Sequence, residues 1–379
     1  MTRRMTLAVL ASVACSMHPP SVAQTVAPPA PIAPPEVQQQ PATQPPAIAL
    51  LLPSQQGIFA DAAEAVRQGF FAAHKASGDS ATIQVIETDE SVEQLAASLI
   101  AARDRGVRVA VGPLRRDTVN AIVEGGQAVL PMVTLNYPDR DSSAPPTMLA
   151  FGLSAEAEAE RAVRVALSGF ITLRPGVSTG ARIVVLSGAS ALDRRIMQAY
   201  VNALRAAGES PETLEVTPAT ISRLGRRFET AQYDGVFLAM NARDASLIRP
   251  RIPRGVAVFA TSLVNVGDPA SSPSAMALAY DLEGVRFVDM PWLLQPDHPA
   301  VMVYGSPARR MTLDTARLYA LGIDAYRVAQ AWMKGEVRFE LDGVTGRLRV
   351  DRAQGPRVER TPISAIYRNG AIEREETLR

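Results

Sequence analysis

Ile48–Pro53 reads IALLLP, a run without a polar side chain, closed by Pro53 and the polar Ser54–Gln56. So short an apolar stretch suits a strand buried on both faces, as parallel strands are. A helical pattern follows directly over Ala60–Ser77, with Val66, Phe70 and Ala73 on one face. A strand buried on both sides needs helices on both sides. This unit therefore predicts the start of a doubly wound sheet whose next loop opens at the carboxyl edge, where such sheets take ligands.

The unit recurs. Thr82–Thr88 (TIQVIET) is a second strand, and Ser91-Val92-Glu93-Gln94 has the spacing of a capping box for a helix to about Arg105. Val107–Gly112 is a third strand ending in Pro113-Leu114. Asp117 is the expected cap of a helix to Glu124, and Ala128–Asn136 is a fourth strand stopped by Tyr137-Pro138-Asp139. Such alternation specifies parallel strands with right-handed crossovers. Met148–Leu153 is expected to open a second round, with Ser154 and Glu156 starting a helix to about Ser168. Strands at Ala181–Ser187, Glu212–Thr217, Asp234–Met240 and Val256–Ser262 alternate with helices at Ala191–Ala207, Ile221–Gln232 and Ala242–Arg249, the last capped by Asn241.

Beyond this second α/β half, Leu282–Leu294 reads as extended and broken by Pro291. Leu313–Lys334 reads as one long helix with Ala316, Tyr319, Ile323, Tyr326, Ala329 and Met333 along a core-facing stripe. The tail changes character: Gly343–Gly346 is a turn into a strand over Arg347–Arg352, and Asn369-Gly370 is a hairpin turn. An antiparallel tail capping one sheet is the expectation.

Met1–Arg4 is a basic n-region and Met5–Ala14 an apolar stretch too short to span a bilayer. Two exits fit. Ser21-Val22-Ala23 is a small-x-small site that releases a chain beginning near Gln24. Ser12-Val13-Ala14-Cys15 resembles a bacterial lipobox, with Ser12 where Leu is usual and Cys15 as the acylated residue. Either route ends outside the cytoplasmic membrane of a bacterium: at the outer membrane through a lipid anchor, or free in the periplasm. Residues 24–45, rich in Pro and Gln, read as an extended tether able to reach roughly 70 Å at about 3.1 Å per residue.

Composition narrows the chemistry. The net charge is +1, or −1 once Arg3 and Arg4 leave with a signal peptide, which gives no reason to expect nucleic acid. Cys15 is the single cysteine and His18, His74 and His298 the only histidines, so a His-based zinc site or a Cys nucleophile is not expected. No G-x-S-x-G, G-x-x-x-x-G-K, H-E-x-x-H or dinucleotide fingerprint occurs, and neither a catalytic residue nor a cofactor is expected. Glu64, Asp89 and Asp139 have no spacing that favours a carboxylate pair over surface charges.

IALLLPSQQGIFADAAEAVRQGFFAA, VGPLRRDTV, LPMVTLN, FGLSAEAEA, DGVFLAMNARDASLIRP, LYALGIDAYRVAQ, DGVTGRLRVD and IYRNG occur in this order. The set resembles the penicillin-binding protein activators, the LppC lipoproteins, from about Pro46 to Glu373. Their shared domain is similar to type I periplasmic substrate-binding proteins. The resemblance implies an α/β protein of two doubly wound lobes joined by three crossing segments, near Ala150–Leu153, Ser262–Asp289 and Glu340–Arg347. It places residues 46–150 and about 290–335 in one lobe, and 151–289 and about 336–379 in the other. It also implies a non-catalytic envelope lipoprotein that stimulates a class A penicillin-binding protein, and so peptidoglycan synthesis. Characterised members carry an N-terminal helical-repeat domain as well, whereas this sequence shows the Pro-rich tether ahead of its first strand. The competing reading is a periplasmic receptor of an ABC transporter for an amino-acid-like or muropeptide-like ligand.

In a fold of that type a small polar ligand meets the loops at the strand carboxyl ends. Here these carry Ser54, Gln55, Gln56, Pro113, Leu114, Asn136, Tyr137, Ser187, Asn241 and Ser262. Ser54 and Asn241 serve equally well as helix caps. Pro113 and Leu114 stand where amino-acid binders usually place small hydroxyl residues. Arg115 and Arg116 suit either an acidic partner or plain solvation.

Overall fold

The computed structural model describes residues 46–88, 91–126, 128–139, 144–173, 180–305, 307 and 310–375. The leader, Cys15, the tether over 24–45 and Asp89 lie outside them.

Strand β1 (Pro46–Leu52) sits inside a parallel five-stranded sheet with β2 (Thr82–Glu87), β3 (Val109–Val111), β4 (Met132–Thr134) and β5 (Met148–Ala150), in the order β2-β1-β3-β4-β5. Ile48, Leu50 and Leu52 enter one core and Ala49 and Leu51 another, so this strand is buried on both faces. Helices α1 (Ala60–Ser77), α2 (Val92–Asp104) and α3 (Arg116–Glu124) follow the first three strands. Ser91 and Gln94 form the capping box as expected. Asp117 does not cap: Arg115 holds the N-cap position without a side-chain bond, and Asp117 sits inside the first turn, ion-paired to Arg115. Met148–Ala150 pairs with β4 and thus closes the first sheet instead of opening the second.

The second sheet has seven strands. Those called β6 (Ile183–Ser187), β7 (Glu212–Glu215), β8 (Gly235–Ala239), β9 (Ala257–Ala260) and β10 (Val285–Asp289) run parallel. Helices α4 (Ala155–Leu173) and α5 (Ala191–Ala206) cover one face, where Ala159, Val163, Ile196 and Tyr200 meet Phe237 and Phe259. The other face carries α6 (Pro218–Ala231), α7 (Ala242–Ile248) and α8 (Pro273–Asp281). The sequence reading missed α8, though Ser272 caps it from directly before Pro273.

Two short helices, α9 (Pro291–Leu294) and α10 (Pro299–Met302), lead into α11 (Leu313–Met333), which lies along α1 against the first sheet. The two long helices pass very close. A Cβ at Gly69 would stand 1.9 Å from the Tyr319 carbonyl oxygen, and one at Gly322 2.1 Å from that of Val66.

The tail divides. Strands β11 (Arg338–Asp342), β12 (Arg347–Asp351) and β13 (Val358–Thr361) form a separate antiparallel sheet, and its Phe339, Leu348, Val350 and Val358 join the core around β1 and α11. Only β14 (Ile363–Arg368) and β15 (Ala371–Glu375) extend the second sheet, as an edge hairpin on β10. The chain thus passes between the two halves three times, at Phe151–Ser154, at Met290 and at Pro362. The third passage lies beyond Glu340–Arg347 because Gly343–Gly346 is a hairpin turn tied to α11. Asp324, fully buried in that helix, accepts from the Val344 and Thr345 N–H groups and the Thr345 hydroxyl at 2.7–3.1 Å. Burial pushes its carboxyl above the usual range, against the pull of Arg327.

Candidate functional site

A cleft lies where the segments that follow β4 and β5 of the first sheet meet those that follow β6 and β9 of the second, at strand carboxyl ends as in other doubly wound sheets. Its volume is about 590 Å³. Arg116 and Asn136 line it from the first sheet, Leu192, Arg195 and Leu263 from the second, and Leu318 from α11. Beneath it a buried charge network links the halves. Arg317 of α11 grips Asp289 at the end of β10 through two bonds of 2.7 and 3.3 Å, and donates to the Ser262 carbonyl at 3.1 Å. Asp289 also accepts from the Asn265 amide and the Met290 N–H, each at 2.8 Å, so its charge is well compensated though fully buried. Glu158 of α4 accepts from the Ser262 N–H at 3.1 Å and faces Arg360 of β13 at 3.5 Å.

Burial pushes the Glu158 carboxyl above the usual carboxylate range, against the pull of Arg360. Burial also works to lower the Arg317 guanidinium, but the Asp289 carboxylate, with Glu158 and Asp314, outweighs it and holds the group above its ordinary value. At the cleft wall Arg195 is ion-paired to Glu156, which in turn accepts from the Ser154 hydroxyl. Most charges around the cleft are therefore committed to one another. Arg116 is held more loosely, 3.4 Å from the Asn136 amide oxygen and 3.9 Å from Asp139.

Of the residues chosen from sequence, Asn136 and Ser262 line this cleft. Asn136 is pinned to the Leu114 carbonyl, and Ser262 contributes through its backbone. The others are not among the residues that line it. Ser54 donates to the Gln56 carbonyl in an exposed turn, with Gln55 beside Arg67. Pro113 and Leu114 are buried behind a cis Gly112–Pro113 bond. Tyr137 is buried, donates to the Gly152 carbonyl and lies under the Arg357 guanidinium. Ser187 is fully buried, and its hydroxyl has no hydrogen-bond partner among the described residues. Asn241 caps α7 by accepting from the Asp244 N–H. Glu64 and Asp139 have separate partners, Arg67 and Asn120. The sequence reading missed Glu158, Asp289, Arg317 and Arg360, whose ion pairs Arg317–Asp289 and Arg360–Glu158 join residues 28 and 202 positions apart in the chain. Among the described residues no cluster of three or more His, Cys, Asp or Glu is placed to hold a metal ion, and no helix is long and apolar enough to cross a membrane.

The LppC lipoprotein family matches the chain over residues 23–210 and 222–370. The chain belongs to that family. Similar relatives include the penicillin-binding protein activator LpoA of Erwinia tasmaniensis, 28% identical over 334 residues that cover 77% of this chain and 48% of that protein. LpoA of Vibrio cholerae is 29% identical over 352 residues, covering 80% and 54%. The LppC-family chain spans about half the length of the curated relatives it matches. Among solved structures, the LpoA C-domain from Haemophilus influenzae, a regulator of PBP1A, superposes with a TM-score of 0.68 at 22% identity, over 87% of this chain and 99% of that one, which shows the fold. A Chromobacterium violaceum structure described as a branched-chain amino acid ABC transporter gives 0.69 at 31% identity, over 84% and 99%. The two-lobed α/β architecture expected from the sequence is thus shared with LpoA and with periplasmic-binding-protein-like receptors.

Proposed function

We propose that this chain regulates a peptidoglycan synthase, a class A penicillin-binding protein, by protein contact and without catalysis. The observation that carries this reading is the alignment of both halves with proteins named penicillin-binding protein activator. The cleft supports it. A receptor for zwitterionic solutes needs charges free to meet them, whereas Arg317, Asp289, Arg195 and Glu156 already satisfy one another. Acylation of Cys15 anchors the chain to the outer membrane in this reading, with the Pro-rich segment spanning toward the synthase.

The second reading, a solute receptor with Asn136 and Ser262 at its ligand, draws on the open cleft and on the Chromobacterium violaceum structure. Titrating the mature chain with a purified class A penicillin-binding protein, and separately with amino acids, short peptides and muropeptides, separates the two. Saturable binding of the synthase with flat calorimetric traces for the solutes supports regulation. A solute that binds while the synthase does not replaces it with the receptor reading.

A further inference from the structure

We infer that the outer helix layer of the second sheet, formed by α6, α7 and the turn after α7, docks an acidic patch on the partner protein. This rests on the contact reading above and names the surface and the chemistry it recognises.

Residues 218–256 hold seven arginines against Glu229, Asp234 and Asp244, a balance of +4 inside a chain whose total is +1. The fold gathers these arginines. Leu224 and Phe228 of α6 and Ala245 and Ile248 of α7 enter one core, so both helices turn their other sides to solvent. Arg223 and Arg226 are exposed on α6. Arg243, Leu247 and Arg251 recur every fourth residue along α7 and the 3-10 turn Arg249–Arg251 that continues it. All three are exposed, and Leu247 keeps 53% of its surface open to water. The turn touches α6, and exposed Arg254 follows it.

Three of the seven are engaged within the fold. Arg227 pairs with Glu212, Arg249 is buried and donates to the Glu283 and Ile252 carbonyls, and Arg251 donates to the Leu247 carbonyl. Arg223, Arg226, Arg243 and Arg254 make no side-chain hydrogen bond or ion pair with any described residue. Two of the three acids are diverted: Asp244 is held by Asn241, and Asp234 accepts from the Arg182 N–H, which leaves exposed Glu229 on α6 beside the arginines. Burial lowers the Arg249 guanidinium; Glu283 opposes this, and the nearby Arg254 charge adds to it.

An exposed apolar side chain flanked by exposed arginines that lack a carboxylate partner is the chemistry of an interface anchor. The field selects an acidic partner and speeds the encounter, and Leu247 supplies apolar area once the faces meet. The occupant is a folded acidic surface with a shallow apolar socket. A bilayer would need a broad apolar stripe, and Leu247 is the one large apolar side chain exposed on α6 or α7 among the described residues.

The test is binding of the full chain to a purified class A penicillin-binding protein at low and physiological salt. The variant Arg223→Glu/Arg226→Glu/Arg243→Glu/Arg254→Glu is expected to weaken binding by about tenfold or more and to flatten its salt dependence. Leu247→Ala should cost about fivefold. Arg205→Glu, on the helix layer across the same sheet, should leave the affinity within about twofold. If the quadruple variant melts early, Arg243→Glu and Arg254→Glu singly carry the test, each expected to cost about threefold. Unchanged affinity in the reversed variants overturns the surface while the contact reading stands. A wild-type chain that binds no synthase overturns both. Binding to phosphatidylglycerol vesicles in place of the synthase, lost in the same variants, overturns the protein partner.

Discussion

Replacing Gly322 by alanine tests how tightly the two long helices are pressed together. The added carbon would lie 2.1 Å from the Val66 carbonyl oxygen and 2.9 Å from the Phe70 nitrogen, where ordinary contact begins at 3.4 Å. Both obstacles are backbone, so no rotamer change relieves them, and α1 and α11 must part by roughly 1 Å. A gap of that size forfeits about a quarter to a half of each dispersion contact across the interface. Overpacking of this kind costs about 1–3 kcal/mol or more, and alanine returns about 1 kcal/mol of helix propensity. With a rigid obstacle the upper end applies, for a net loss of about 2 kcal/mol. Gly225 of α6 is the internal control, because nothing lies within 4 Å of its added carbon. Gly225→Ala should stabilise by about 0.5–1 kcal/mol through propensity alone. Urea unfolding of both variants reads the difference from the midpoints at constant slope. If Gly322→Ala gains stability as Gly225→Ala does, the close crossing is not the determinant of packing that the geometry makes it.

Other perturbations follow from the same contacts. Arg317→Ala leaves Asp289 buried without its cation and should cost about 3–5 kcal/mol by urea unfolding, with Arg317→Lys a poor substitute because the two-pronged grip is lost. Asp324→Ala frees the Val344–Thr345 turn from α11 and should cost about 2–4 kcal/mol, read as a lower melting temperature. The Ala81 N–H, aided by Gln330 and Tyr326 against a burial penalty, holds the Asp79 carboxyl below its usual range. Its contribution is therefore complete above the ordinary carboxylate value and fades as pH falls through the lowered one. Asp79→Asn should flatten the acid limb of the stability curve, measured by melting between about pH 5 and pH 2.

The parallel scaffold was legible because its signals are local. IALLLP has no side chain that tolerates water, and the structure buries it from both sides. Ser91 with Gln94 and Asn241 with Asp244 cap helices from within four residues. Strand ends were read long, as at Ala128–Asn136 against Met132–Thr134, because apolar burial extends past the hydrogen-bonded ladder. The tail misled because a hairpin turn such as Gly343–Gly346 does not tell which core its strands will cover; that depends on Asp324, about twenty residues upstream. The cleft was legible only in outline. Strand ends point to it, and Asn136 and Ser262 reach it, but its charges pair across the two halves with no periodic trace in sequence.

The most direct measurement is the rate at which a purified class A penicillin-binding protein makes glycan strands from its lipid-linked precursor, with and without the full chain at saturation. The account predicts a faster rate with the chain present and no product from the chain alone. An unchanged synthase rate, or turnover by the chain without the synthase, contradicts it.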